Sequence, residues 1–176
     1  MVYNKLFRFF LKNCSGATAI EFGLLAMPFF MLLVGILELS MFYASGVVLE
    51  GAAISAARTV RTGQAQNSAD PQSVFEEALC NQVSIIIKCN NITYEAVNFG
   101  NSFNGVSETA ITLDEDGNME PAGFTIGGPN SVIMIRLAYH HNFLFPFLGA
   151  ILSDGTQQNA SLHLSTVVLR TEPYGF

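Results

Sequence analysis

Four groups of side chains in this 176-residue sequence are of types that carry chemistry. Thiols form disulfides or bind zinc, imidazoles bind transition metals, and clustered carboxylates bind calcium. A carboxylate inside an apolar segment needs a cation or water beside it. The residues in question are Cys14, Cys80 and Cys89; His140, His141 and His163; the acidic run Asp114–Asp116; and Glu21, five residues after Gly16. What each group does depends on the elements that position it.

Glu21 lies in an apolar segment that is long enough to cross a membrane. Between Ala17 and Leu37, Glu21 is the only charged side chain. A helix of this length spans roughly 31 Å at about 1.5 Å per residue, which matches the hydrocarbon core of a bilayer. The sequence therefore predicts a transmembrane helix with an acidic residue near its start.

The charges before Glu21 predict the orientation of this helix. Lys5, Arg8 and Lys12 are all positive, and the next charge after Glu21 is Glu38. Since cytoplasmic flanks are rich in Lys and Arg, residues 1–16 are predicted to stay inside and the rest to be exported. A secretory signal is cut after its apolar run. Such a cut near Ala44–Gly46 is the alternative to a cut at Gly16, which precedes the run.

The basic head, Gly16, Glu21 and Phe22 together resemble the processing site of type IV prepilins. That family is cut after the glycine, is methylated at the new amino terminus and requires a glutamate at mature position five. The resemblance places the cut between Gly16 and Ala17. Because Ala17 and Glu21 are one helical turn apart, the new ammonium can pair with this carboxylate or with that of a neighbouring subunit. The alternative is that Glu21 simply lies at the cytoplasmic headgroup boundary.

Two departures from the main type IV pilins favour one branch of the family. Ala17 replaces the usual phenylalanine, and the only proline of the helix is Pro28. The stretch 16–30 (GATAIEFGLLAMPFF) looks like the TadE-like family, pseudopilin-type proteins of the tight-adherence (Tad) machinery that builds Flp pili. The resemblance continues through 56–63 and returns weakly at 139–146 and 172–173. It covers the first third of the chain.

This resemblance implies a function and partners. The protein would be a minor pilin or pseudopilin needed for assembly of tight-adherence pili, and a substrate of the prepilin peptidase. Its partners would be other pilins and the pilus assembly platform. It would lie in the bacterial inner membrane as a single-pass protein with a cytoplasmic N-terminus and a periplasmic C-terminal domain. A sibling minor pseudopilin, or a permanently anchored periplasmic binding module, are the alternatives.

The predicted organisation has four parts and an α+β fold. Residues 1–16 are a leader that is removed, 17–38 the transmembrane helix, 39–63 its extension, and 64–176 a periplasmic domain with an antiparallel sheet packed on helix. The extension has no proline, and Gly63 supplies an end signal. Small residues between Gly46 and Ala57 allow close approach, either of another subunit or of the protein's own domain.

The exported part predicts further elements. Asp70 and Pro71 start a helix to about Gln82, and strands are predicted at 85–87, 92–99, 131–139 and 161–171. In the last strand the apolar alternation falls on Leu162, Leu164, Thr166 and Val168. Residues 100–130 are a predicted long loop. The apolar run Phe143–Leu152 is too short to span a membrane, and it covers the sheet, dips into the membrane or contacts a partner.

The cysteines sort with the predicted orientation. Cys14 falls in the leader, whereas Cys80 and Cys89 form an even pair in the exported part, where disulfides persist. A Cys80–Cys89 disulfide is therefore predicted. Two buried free thiols are the alternative, and zinc is disfavoured because the gap does not fit the short spacing of structural ligands.

The remaining candidates predict neither a metal, a cofactor nor an active site. Adjacent strand residues point to opposite faces, so His140 and His141 would not share one ion. The acidic run lacks the ligand spacing of a calcium loop and predicts a solvated turn. We expect no catalytic constellation and no small-molecule substrate. Removal of the leader changes the formal net charge from −6 to −9, which disfavours nucleic acid as a partner.

Overall fold

The computed structural model describes residues 16–83, 86–153, 157 and 159–175. Its helices are α1 (Ala17–Arg61), α2 (Pro71–Val83) and α3 (Pro146–Leu152), with a 3-10 turn at Cys89–Asn91. Its strands are β1 (Ile92–Asn98), β2 (Val132–Asn142) and β3 (Ala160–Arg170). The predicted α+β class is confirmed. Residues 1–15 of the predicted leader, with Cys14, lie outside the described residues.

Helix α1 is continuous, but the chain divides into two compact units between Leu39 and Ser40. In the first unit, the helical residues before Leu39 expose most of their large apolar side chains, among them Phe22, Leu25 and Phe30. Among the described residues, α1 is the one helix long and apolar enough to cross a membrane. This is the surface expected of a helix whose solvent is lipid.

The second unit is a three-stranded antiparallel sheet with helices on one face. The strand order is β1-β2-β3, and the register pairs Glu95 with Arg136 and Leu137 with Ser165. The central strand β2 is buried from Val132 to Ala138. Both faces of the sheet are therefore covered at β2.

The inner face packs on the second half of α1. Four alanines of α1 are buried in one cluster with apolar side chains of β2 and of α2 (Ala52, Ala53, Ala56, Ala57; Ile133, Ile135, Leu137; Phe75, Leu79, Val83). Short side chains let the helix backbone approach the sheet closely. Of the two partners considered for the small residues, the protein's own domain is the one that these alanines contact.

Local signals place the helix ends as predicted. Helix α1 ends at Arg61, and Gly63 follows with φ of 78°, a left-handed conformation that glycine adopts without strain. Helix α2 begins after Asp70, whose Oδ1 accepts a hydrogen bond from the Ser73 amide at 3.2 Å. The N-cap prediction is confirmed.

The strand predicted at 85–87 is wrong for its two described residues. Ile86 and Ile87 lie in a turn, and both their amides donate to the Val83 carbonyl, at 3.1 and 3.0 Å. The chain must reverse here to bring Cys89 back to α2, so these amides bond to the helix end rather than to a strand. Ile85 lies outside the described residues.

The loop 100–130 contains no helix and no continuous strand, as predicted, but it does more than connect β1 and β2. It lies over the outer face of the sheet, where Met119 is buried and Thr109 and Ala110 accept hydrogen bonds from Arg136. Isolated bridges join Ala96 to Phe124 and Leu113 to Met119. The loop therefore forms the second cover of the sheet.

The apolar alternation of β3 faces outward. Register places His163, Ser165, Val167 and Leu169 on the inner face with Ile133 and Leu137, so the alternating set lies on the outer face. Leu164 is 45% exposed and Val168 is 40% exposed. In β3 the outer set of side chains is thus more apolar than the inner set, yet it is less buried.

Candidate functional site

The predicted cleavage site lies at the first residue of α1. Helix α1 begins at Ala17, and Gly16 precedes it in an exposed position with open space where a Cβ would be. Gly16 itself adopts a 3-10 conformation, so the peptide bond between Gly16 and Ala17 lies where this turn passes into the α-helix.

Glu21 lies on the first turns of α1 and is exposed. Because Ala17 and Glu21 are both helical, their i, i+4 spacing places them on one side of the helix, a turn apart. Neighbouring side chains on this part of the helix are apolar, including the exposed Ile20 and Phe22. The arrangement suits a carboxylate that meets an ammonium group at its own helix start or on another helix.

A comparison with protein-family models matches this part of the chain. Residues 16–58 match the family model described as TadE-like protein. The segment 16–58 is TadE-like. The match covers about a quarter of the chain, and it confirms there the resemblance seen in the sequence. Neither the curated proteins nor the solved structures gave a match.

The TadE-like segment contains two kinds of surface. Its first half is the exposed apolar helix, and its second half includes the alanines that are buried against the sheet. Gly46 belongs to this second half, and a Cβ there would lie 3.3 Å from the His163 ring. The segment therefore combines a candidate membrane helix with the helix face on which the domain is built.

Cys80 and Cys89 are joined by a disulfide in the structure. Their Cα atoms are 5.2 Å apart across a sequence separation of nine residues. Cys80 lies on α2 and Cys89 begins the 3-10 turn before β1. The bridge therefore ties the end of α2 to the start of the sheet.

We predict that removing this bridge lowers stability without unfolding the protein. A loop of about ten residues is worth about 2.5 kcal/mol on the chain-entropy model. Cys80→Ser combined with Cys89→Ser should lower the free energy of unfolding by about that amount, as measured by urea titration against the oxidised wild type. A non-reducing peptide map that alkylates both cysteines without reductant would contradict the disulfide itself.

A buried ion pair, which was not predicted from the sequence, joins β1 and β2. Arg136 Nη1 lies 3.0 Å from Glu95 Oε1, and the two side chains are only 8% and 5% exposed. The other Glu95 oxygen accepts from the Ala122 amide at 2.8 Å. Arg136 also donates to the carbonyls of Thr109 and Ala110. The one sequence signal for this ion pair was Arg136, a single charged residue in the otherwise apolar strand 132–138.

The histidines line one end of the sheet. His141 and His163 lie near Phe42, with ring centroids 5.5 and 4.4 Å from it, and Ser45 Oγ is 3.2 Å from His141 Nδ1. Burial and the neighbouring His141 lower the pKa of His163. Register places His140 on the opposite face from His141, as predicted. Within residues 16–83, 86–153, 157 and 159–175, no three His, Cys, Asp or Glu side chains are grouped to hold a metal.

The acidic run forms the predicted turn. The Asp114 carboxylate accepts hydrogen bonds from the amides of Asp116 and Asn118 at 2.9 and 2.8 Å. The Asn118 side chain donates to it as well, at 2.9 Å. These bonds, with that of the Asn118 side chain largest, lower the pKa of Asp114. The carboxylate thus stabilises its own turn.

Proposed function

We propose that this protein is a minor pilin or pseudopilin of the tight-adherence system, cut between Gly16 and Ala17 and needed for assembly of Flp pili. The TadE-like match indicates a protein related to the Tad pilus. One observation carries the finer proposal: the match begins at Gly16, and α1 begins at the next residue. The residues that resemble a prepilin processing site thus lie at the start of the α-helix.

Cleavage would change the electrostatics of the helix start. The cut creates an ammonium at Ala17, one turn from the Glu21 carboxylate. An unpaired carboxylate deep in a bilayer costs about 2.5 to 3.5 kcal/mol on insertion scales. Pairing with an ammonium offsets this cost, and a partner on a neighbouring helix would link cleavage to assembly. The role of Glu21 is thus to favour one register between helices.

The same proposal implies a location for the protein and a set of partners. The helix would hold the protein in the bacterial inner membrane, with its N-terminus cytoplasmic and residues 40–176 periplasmic. Its partners would be the prepilin peptidase, other pilins or pseudopilins, and the assembly platform. TadE-like proteins are generally structural rather than enzymatic, and we propose no catalytic role here.

The mature N-terminus tests this proposal. Intact-mass and N-terminal peptide measurement of the protein from membranes should find a chain that begins at Ala17. Deletion of the gene should abolish surface pili, and complementation should restore them. A mature chain that retains Met1–Gly16 would contradict the proposal and favour an anchored periplasmic binding module. Processed protein that co-purifies with sheared pili would place it in the filament rather than at its base.

A further inference from the structure

The connection between β2 and β3 carries an exposed apolar surface that neither the processing site nor the core uses. Four large side chains form this apolar tip: Leu144, Phe145, Phe147 and Ile151. Leu144 is 86% exposed, and Phe147 and Ile151, which are i and i+4 on α3, are 69% and 63% exposed. Such a concentration of exposed apolar surface in one connection marks an interaction site.

The apolar tip is held in a defined shape. The Phe143 amide donates to the Asn159 carbonyl at 2.9 Å, and the Asn159 side chain donates back to the Phe143 carbonyl. Gly149 is buried against Asn159, whose Cα would lie 2.8 Å from a Cβ at that position. Helix α3 therefore packs on Asn159 through Gly149, and its large apolar side chains face outward.

Contacts within residues 40–176 locate the tip at one end of that unit. Strand β3 runs alongside α1 in the same direction, since Gly46 lies against His163 near its start and Arg61 pairs with Glu172 beyond its end, at 3.4 Å. The β2–β3 connection therefore lies at the end where the unit's part of α1 begins. The Phe143 ring stacks on Phe42 there, with centroids 5.4 Å apart.

The sequence leaves only a short stretch of chain between this end of the unit and the uncharged apolar segment. Phe42 follows Leu37, the end of the uncharged apolar segment, by five residues. Five residues reach at most about 18 Å even when fully extended. The apolar tip, which packs on Phe42 through Phe143, is thus joined to the end of the apolar segment by a short stretch of chain.

The absence of charged side chains at the apolar tip favours lipid over a hydrophilic or acidic partner. No Asp, Glu, Lys or Arg occurs from Leu137 to Ser153, whereas the loop 100–130 carries five acids and no basic residue. That loop joins the end of β1 to the start of β2, at the end of these two strands that lies away from the apolar tip. Apolar and aromatic side chains without charge suit the boundary between headgroups and acyl chains.

We propose that the apolar tip inserts into the leaflet from which α1 emerges, as a second membrane contact of the domain. The occupant is the lipid surface itself, and the contact involves Leu144, Phe147 and Ile151. It limits how far the domain can move away from the bilayer while the helix is still embedded. This inference rests on the proposed membrane anchorage of α1.

Depth-dependent quenching on the full chain tests the inference. We would attach an environment-sensitive fluorophore to Phe147→Cys, in a Cys14→Ser background, after reconstitution into vesicles of phosphatidylethanolamine and phosphatidylglycerol. Nitroxide-labelled lipids should quench it, and aqueous iodide should not. The lipid-to-iodide quenching ratio should exceed that of Ser102→Cys, an exposed position in the acidic loop, by roughly threefold or more. Ile151→Cys should behave like Phe147→Cys.

The other outcomes distinguish a failure of this inference from a failure of the proposed membrane anchorage of α1. A fluorophore at Leu25→Cys should be quenched by lipid; if it is not, the anchorage itself fails. Lipid quenching at Leu25 with iodide quenching at both tip positions would overturn the inference alone. Protection of both tip positions from both quenchers would also overturn it, because a protein surface rather than lipid would then cover the tip.

Discussion

Replacing Gly16 with leucine should leave the full-length chain uncleaved in the membrane. Open space surrounds the position where a Cβ would be, so the protein's own fold accommodates the new side chain. The loss would therefore arise in the proposed peptidase, since the resemblance to prepilins implies that a glycine is needed before the cut. Intact-mass measurement of membrane protein should show the leader retained in all of the population.

Gly23→Leu is the matched control. Gly23 also lies on the exposed helix with nothing near its missing Cβ, so this substitution should not change cleavage. Glu21→Gln tests assembly separately from cleavage, because it keeps Gly16 and removes the charge of Glu21. It should be cut, yet cells that carry it should assemble fewer surface pili than the wild type. Efficient cleavage of Gly16→Leu at Ala17 would refute the proposed processing site.

Arg136→Ala should be the most damaging single change in the domain. It leaves the Glu95 carboxylate buried without its cation and removes the donors to Thr109 and Ala110. Breaking a buried pair from one side costs about 3–5 kcal/mol. We expect a loss of that size in the free energy of unfolding, measured by pulse proteolysis of the full chain in urea.

A paired exchange and a surface control sharpen this result. Glu95→Leu combined with Arg136→Met should recover most of the stability, because well-packed apolar pairs often replace buried ion pairs without loss. Arg170→Ala removes an arginine whose Nε donates to Asn130 on the surface, and should change stability by less than about 0.5 kcal/mol. An Arg136→Ala variant as stable as Arg170→Ala would show that the pair does not hold the loop.

The sequence predicted those elements whose signals are local. Gly63 ends α1 through its left-handed backbone, and Asp70 begins α2 through its side-chain cap. The apolar residues of 131–139, which Arg136 interrupts, predicted the strand β2. The predicted cleavage site lies where α1 begins, at the start of the apolar run that predicted this helix.

Features that depend on distant residues were beyond local patterns. The outward-facing leucines of β3 would be placed inside by alternation alone, yet the register with β2 turns His163 and Ser165 toward the helix instead. The cover of the outer face comes from the loop 100–130, and the Glu95–Arg136 pair is one of its attachments to the sheet. No pattern within either strand predicts that pairing, since its members are forty-one residues apart.

The alanine face of α1 also constrains the order of folding. This helix is synthesised before β3, which lies beside it, and contacts such as Gly46 with His163 and Arg61 with Glu172 join residues more than a hundred positions apart. Closing such loops is slow, and the interval leaves apolar surface open to wrong partners. The chain therefore stays vulnerable to aggregation until β3 is made, so truncated proteins that lack β3 should be degraded.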